Sequence, residues 1–446
     1  MSSRDARIGA LGFVLTFVGS WGLAGCALEE PSEAGSAEPT IVEASLAETE
    51  AMSLDLERDR VEGDIYHSSV SIRVGRTPNA RIRLHRVVRE PALRRPGQGA
   101  PAIMLLHGDF STFTTNFMSS GAAAPPHGGL AVYLAEQGID VWGFDRRWTT
   151  APTDGADLSD FAGMTYAAEI DDIGRALAFA RASRAATGSG AGRMILAGFS
   201  RGGHLAYEYA AHETQLPPGK RQIRGLVPID ISARISPDDE VAREGACESL
   251  SYERAALAGG VVDSDNGSAI QVGELAASAP DDPSPFYGDH TNRDAMLAFM
   301  AQTYLFWAPT PTYHLAGGVL EDGAPTALRF SSEPVIDSWL AAAPFHQAIA
   351  ESADTDAMWC GEGPLPLADH IADIDVPLYY LGAAGGFGDH GLYSTTLVAS
   401  SDVTTRVVRR LGTDGIAEDF GHADLLYAAH APILAWEPLA RWILRH

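Results

Sequence analysis

Four short runs, apolar at nearly every position, constrain this chain more than anything else in it. They read AIMLLHG (102–108), IDVWGFD (139–145), RMILAG (193–198) and IRGLVPID (223–230). A strand with no polar face must be covered on both sides. The segments between them carry apolar residues at helical spacing: LAVYLAEQG (130–138), YAAEIDDIGRALAFARAS (166–183) and GGHLAYEYAAH (202–212). Strand and helix in alternation, with short links, predict an α/β domain built on a mostly parallel, doubly wound sheet. Two earlier runs, YHSSVSIRV and ARIRLHRVV, alternate with period two and read as antiparallel strands. The alternation resumes late, with VPLYYLG (376–382), TTRVVRRLG (404–412) and a closing helix LAWEPLARWILRH (434–446). The sheet then has about eight strands.

Between the two blocks the rhythm breaks. Residues 232–371 are rich in Pro, Gly and aromatics, with helical pieces such as RDAMLAFMAQTYLFW (293–307). The economical division is a core of 63–231 and 372–446 interrupted by a helical cap insertion at 232–371. The insertion leaves the strand ends where α/β sheets place their sites. Phe299, Tyr304, Phe306, Trp307, Trp339 and Phe345 are its candidates for lining an acyl pocket, or for forming its own core.

The first 62 residues lie outside that plan. A short basic start is followed by an apolar run from Ile8 to Trp21, too short for a comfortable membrane span and suited to an export signal over 1–25. The segment ends Leu23-Ala24-Gly25-Cys26, which resembles a bacterial lipobox. That resemblance implies a lipidated Cys26 and a protein exported to the cell envelope and anchored there through acyl chains. Ala27 in the next position implies the outer membrane if the organism is Gram-negative. Residues 26–62 read as an acidic, disordered tether. From Cys26 to Asp64 there are twelve Asp and Glu against Arg58 and Arg60.

The whole chain of 446 residues carries a formal net charge of −26, which argues against a nucleic-acid partner. Besides Cys26 it has Cys247 and Cys360, and export permits a disulfide between them across the cap.

The chemistry centres on Gly198-Phe199-Ser200-Arg201-Gly202-Gly203. A serine displayed on a sharp turn between a strand and a helix needs small residues two before and two after it, and Gly198 and Gly202 stand there. Ser200 is therefore the expected nucleophile. Acyl transfer places negative charge on a carbonyl oxygen, so two backbone N–H donors must face it. One is expected from Arg201 and the other from Asp109, after His107-Gly108 at an earlier strand end, with Phe110 as the alternative. The base is expected after the last strand, at His422 in DFGHADLLYAAHA (419–431). The acid that orients it is expected in the glycine-rich LGAAGGFGDHG (381–391), where Asp389 is the one carboxylate. Asp230, at the end of an earlier strand, is the second choice. Asp424, two residues from His422 on the same segment, is expected to cap or anchor its loop.

The order Ser200, Asp389, His422 matches that of α/β-hydrolases. LLHG, YLAEQGIDVWGFDRR, YAAEIDDIGRAL, GFSRGG and GHADLL occur in the order seen in acid-lipase-like members. Over about 100–231 and 375–442 the chain resembles the lipase and esterase branch of that superfamily. It departs in having Asp109 where those lipases carry an apolar residue. The resemblance implies an α/β-hydrolase fold and cleavage of carboxylic esters through an acyl-enzyme, with neither metal nor cofactor. The substrate would be a small-molecule or lipid ester. A related serine acyl hydrolase (peptidase, amidase or acyltransferase) and a non-catalytic lipid-binding lipoprotein are the competing readings.

Overall fold

The structure, a computed structural model, describes residues 56–446 except 92–96, 98, 120, 122, 303–312 and 363–367. The expected signal peptide, Cys26 and the tether up to residue 55 lie outside the described residues. The description below concerns the unit Ser53–His446.

Thirteen strands occur among the described residues: β1 (Leu56–Glu62), β2 (Ile65–Arg73), β3 (Arg81–Arg89), β4 (Ala102–Leu106), β5 (Asp140–Asp145), β6 (Met194–Phe199), β7 (Ile223–Ile229), β8 (Asp263–Asp265), β9 (Gly318–Glu321), β10 (Ala324–Leu328), β11 (His346–Ala348), β12 (Leu378–Ala383) and β13 (Val403–Val408). Nine make one sheet in the order β1-β2-β3-β5-β4-β6-β7-β12-β13. The first three and β5 pair antiparallel. From β5 onward every pairing is parallel.

The apolar runs sit where their composition requires. All residues of β4, β5, β6 and β12 are buried. Their side chains divide by period two between the two faces of the sheet. Ile103, Leu105, Ile195 and Ala197 pack on one face with Phe113, Phe117 and Trp436. Met104, Leu106 and Leu196 pack on the other with Ile170, Ile173, Leu177 and Leu205 from the helices Tyr166–Ala186 and Arg201–Thr214. This is the α/β-hydrolase arrangement expected from the sequence, with nine strands instead of about eight.

The extra strand is β1, inside the span assigned to the tether. Its sequence, LERDRVE, is almost wholly exposed and pairs only with β2. Its charged residues suit an edge strand, where they discourage pairing with other chains, and the same charges hide it from an apolar-pattern reading. The expected strand 404–412 stops at Val408, because the next backbone amides turn to bond a side chain of the 419 loop.

Between β7 and β12 the chain makes the helices Glu240–Ala258, Gly267–Ser278, Asn292–Ala301, Glu333–Ala341 and Ile349–Cys360. Strands β8 and β11 pair with each other, as do β9 and β10, and none of the four joins the large sheet. Cys247 and Cys360 are bonded, joining the first of these helices to the last.

Candidate active site

Ser200 stands between β6 and the helix Arg201–Thr214 with φ 55° and ψ −130°. A non-glycine residue there is strained by roughly 1–3 kcal/mol and must be held by its surroundings. The glycines around it make that possible. A Cβ on Gly198 would collide with the carbonyl of Gly202, and one on Gly202 with the carbonyl of Leu106. One on Gly203 would come within 2.7 Å of the Gly198 carbonyl oxygen. The helix can start this close to its own strand, and to β4, only because those positions lack side chains. Ser200 N–H donates to the Ile229 carbonyl at 2.9 Å, which fixes the turn against the end of β7.

The residue after Ile229 is Asp230, with φ 47° and a side chain that is 0% exposed. Its Oδ2 lies 2.6 Å from His422 Nδ1. A carboxylate only accepts, so Nδ1 carries the hydrogen and Nε2 is left as the basic nitrogen. The His422 ring stacks on Phe199, the residue before Ser200, with centroids 4.4 Å apart. Its backbone N–H donates to the His314 carbonyl at 3.0 Å, and Ala423 N–H donates to the Leu315 carbonyl at 2.7 Å. The loop that bears the histidine is thus tied to the inserted segment.

The acid is where the expectation needs correction. Asp389 does not reach His422; its side chain is 61% exposed and pairs with Arg409 at 2.7 Å. The glycine-rich loop that carries it has a different role. Its amides of Ala383 and Gly388 donate to Asp230 Oδ1 at 2.8 and 3.0 Å, and that of Phe387 to Oδ2 at 3.2 Å. A Cβ on Gly386 would fall on the Asp230 carboxylate. The loop receives a carboxylate from β7 and does not supply one. Asp230, the second choice from the sequence, is the residue brought to His422. Asp424 accepts from the amides of Gly317 and Gly421 and from Ser331 Oγ, at 2.7, 2.8 and 2.5 Å, and so anchors its loop as expected.

On the other side of Ser200 lies the loop after β4. A Cβ on Gly108 would come within 3.0 Å of Ser200 Cβ, so the backbone there runs directly beside the serine. Among the described residues neither the Asp109 nor the Arg201 amide meets an acceptor, while Phe110 N–H is taken by Gln347 Oε1 at 2.8 Å. Asp109 and Arg201 therefore retain free donors, and the alternative at Phe110 does not.

Their side chains pair as well. Arg201 Nε bonds Asp109 Oδ1 at 2.5 Å, and its guanidinium reaches Thr355 Oγ1 on the helix Ile349–Cys360. Burial would raise the Asp109 carboxyl, but the Arg201 charge and hydrogen bond outweigh it and hold the group below its ordinary range. Arg146, from the DVWGFDRR run, donates to the carbonyls of Gly108 and His107 at 2.6 and 3.3 Å and to Glu351 at 3.1 Å. His107 is buried, accepts from Arg146 N–H, and is pushed down to about 3 by burial and by the Arg146 charge. It is a neutral packing histidine. Asn116, which no sequence signal marked, accepts Gly108 N–H at 2.8 Å and completes the loop's support.

Phe199, Tyr313 and Phe387 surround His422. A cavity of about 390 Å³ opens beside Phe387, lined also by Ile235, Ser236, His390 and Tyr393. Of the aromatics suggested from sequence, Tyr304, Phe306 and Trp307 lie outside the described residues. Trp339 packs against Tyr427 with the rings tilted, Phe345 lines a second cavity of about 290 Å³ next to Trp148, and Phe299 packs on the main core. Among the described residues no group of three or more His, Cys, Asp or Glu is arranged to hold a metal ion.

No protein-family model matches the chain, and no curated protein sequence matches it. Solved structures do. A "putative lipase" from Sulfolobus solfataricus superposes with a TM-score of 0.58 at 18% identity, over 88% of this chain and 99% of that one. A soluble variant of monoglyceride lipase from Saccharomyces cerevisiae gives 0.43 at 11% identity over 89% and 96%. The epoxide hydrolase VrEH1 from Vigna radiata gives 0.44 at 14% over 86% and 98%. The first of these, with the sheet described above, establishes the α/β-hydrolase fold.

Two outcomes follow from this geometry. If Ser200 and His422 act together on an ester, Asp230→Asn should lower kcat by about 10⁴-fold, since the amide would favour the wrong tautomer of His422. Asp389→Asn, which loses only an exposed ion pair, should stay within about twofold of the parent. A further outcome concerns Glu253 and Asp356, on the two helices joined by the disulfide. Burial, and then its Asp356 neighbour, push the Glu253 carboxyl up to about 9, and burial pushes Asp356 up to about 7. Both ionise near pH ~4 in the unfolded chain, so between there and these values the folded protein holds protons that the unfolded chain releases. Stability from this pair falls as pH rises toward 9. Glu253→Gln should raise the melting temperature at pH 9 relative to the parent and leave it nearly unchanged at pH 5, as read by calorimetry.

Proposed function

We propose that this protein is a serine hydrolase of carboxylic esters, with Ser200 as nucleophile, His422 as base and Asp230 as the acid that orients it. The observation that carries the reading is the buried 2.6 Å contact between His422 Nδ1 and Asp230, formed beside a serine held at positive φ on a glycine-lined turn. The fold shared with a "putative lipase" supports it at the level of architecture. In this reading His422 Nε2 takes the proton of Ser200 Oγ as Oγ bonds to the ester carbonyl carbon. The resulting oxyanion accepts from the Asp109 and Arg201 amides. The bond to the alcohol oxygen then breaks, and His422 returns the proton to that oxygen. Water enters, gives His422 a proton, and attacks the acyl carbon. Ser200 Oγ leaves with the proton from His422, and the acid is released. Residues 232–371 act as the cap over this site, fastened across its length by the disulfide.

The reading extends to where the enzyme works. We propose that the chain is exported and anchored by lipid on Cys26, on the evidence of the basic start, the apolar run and the Leu23-Ala24-Gly25-Cys26 ending.

A fluorophosphonate probe should label the parent protein and not Ser200→Ala, and a panel of p-nitrophenyl esters and the matching anilides should be cleaved at the ester only. Labelling that persists in Ser200→Ala would overturn the assignment, and faster cleavage of anilides would move the protein to the amidases. For the anchor, cells fed a radiolabelled fatty acid should incorporate it into the full-length chain and not into Cys26→Ser. Equal incorporation in both would end that part of the proposal.

A further inference from the structure

The inserted segment touches the two residues with free amides at Thr355, which bonds Arg201, and at Gln347, which bonds Asp109. Gln347, in the middle of β11, is 2% exposed. Its Oε1 accepts from Phe110 N–H at 2.8 Å and its Nε2 donates to Asp109 Oδ1 at 2.7 Å. The same Oδ1 accepts from Arg201 Nε at 2.5 Å. One carboxylate oxygen therefore connects the two residues whose amides are free, and Gln347 holds that oxygen in place. Phe110 sits at φ 45°, a conformation that costs energy for a phenylalanine, and its amide is fixed there by the Gln347 oxygen. A primary amide accepts from a backbone N–H through its oxygen while its nitrogen donates to a carboxylate, and asparagine is one methylene shorter.

The bridge is itself braced. Gln347 lies opposite Ser264 in the β8–β11 pair, and its backbone N–H donates to Asp263 Oδ1 at 3.2 Å. His346 Nδ1 bonds the other oxygen of Asp263 at 2.6 Å. The ion pair beside the serine has a chemical consequence too. An unpaired carboxylate there would oppose the negative charge that develops in acyl transfer, and Arg201 offsets it.

We propose that Gln347 is a positioning residue for the oxyanion site. From the cap it fixes the strained 109–110 backbone and the Asp109–Arg201 ion pair, so that both amides face the same point. This rests on the reading of Ser200 as nucleophile. Without the bridge, Phe110 relaxes toward negative φ and turns the Asp109 amide away, while substrate still binds. The loss falls on transition-state stabilisation and not on affinity for the ester.

The test uses the full chain and three variants: Gln347→Met, which keeps the volume, Gln347→Glu, which keeps the acceptor and loses the donor, and Asp109→Asn/Gln347→Glu. In the double variant the new asparagine amide can donate to the new carboxylate, and Arg201 regains an anionic partner. Measured quantities are kcat and KM on a p-nitrophenyl ester and the inhibition constant of a trifluoromethyl ketone, which forms a tetrahedral oxyanion on the serine. Both single variants should lose about 10–100-fold in kcat and a similar factor in ketone affinity, with KM within about threefold. The double variant should recover most of the loss of Gln347→Glu. Single variants that match the parent in kcat and ketone affinity would overturn the proposal, as would a double variant no better than Gln347→Glu. If the parent is active and the variants equal it, the proposal alone fails. If the parent neither cleaves esters nor reacts with a fluorophosphonate at Ser200, the proposal and the reading beneath it fail together.

Discussion

The Asp230 carboxylate is the point on which three distant parts of the chain converge. It leaves β7, is enclosed by amides of the loop after β12, and meets the histidine of the loop beyond β13. A fully buried carboxylate is tolerated only where hydrogen-bond donors surround it, and here three amides and an imidazole do so. Those donors can approach because Gly386 has no side chain, whose Cβ would fall on the carboxylate; Gly385 leaves room for the His314 ring, and Gly382 and Gly391 for Tyr380. The carboxylate also sets the tautomer of His422. Fold and chemistry are therefore constrained by the same group.

That arrangement explains what could be read from the sequence and what could not. The buried strands were legible because they are apolar at nearly every position, and the serine turn because its glycines have no substitute. Asp389 was misleading for a physical reason. A glycine-rich loop holding one carboxylate looks like the donor of that carboxylate, yet its Gly386 and its amides admit another one. The end of β7 gave the competing signal, an aspartate closing an apolar strand, and its force is evident only once β7 and β12 are seen side by side. Strand β1 was hidden by its own charges. Gln347 and Asn116 carried no pattern, because a single amide acting on a loop 237 residues away leaves no periodicity to read.

Asp109, the departure from the lipase-like pattern, also acquires an account. Its carboxylate is neutralised by Arg201, the residue that follows Ser200; Arg201 is fastened to the helix Ile349–Cys360 and Asp109 to β11. An apolar residue at position 109 would need none of these partners. The charge at that position, the arginine in the serine turn and the polar residues of the insertion form one set, and a change in any of them alters the others.

The ties between the His422 loop and residues 314–315, and between the Asp109 loop and Gln347, bear on how this protein can change over time. In a chain whose insertion merely lies over a finished centre, that insertion can be exchanged wholesale and the core goes on working. Here two loops, those bearing Asp109 and His422, are held partly by the backbone and side chains of the segment between β7 and β12. Exchange of the whole segment would remove the contacts of His314, Leu315 and Gln347 that hold those loops. The segment is free to vary only at positions outside those contacts.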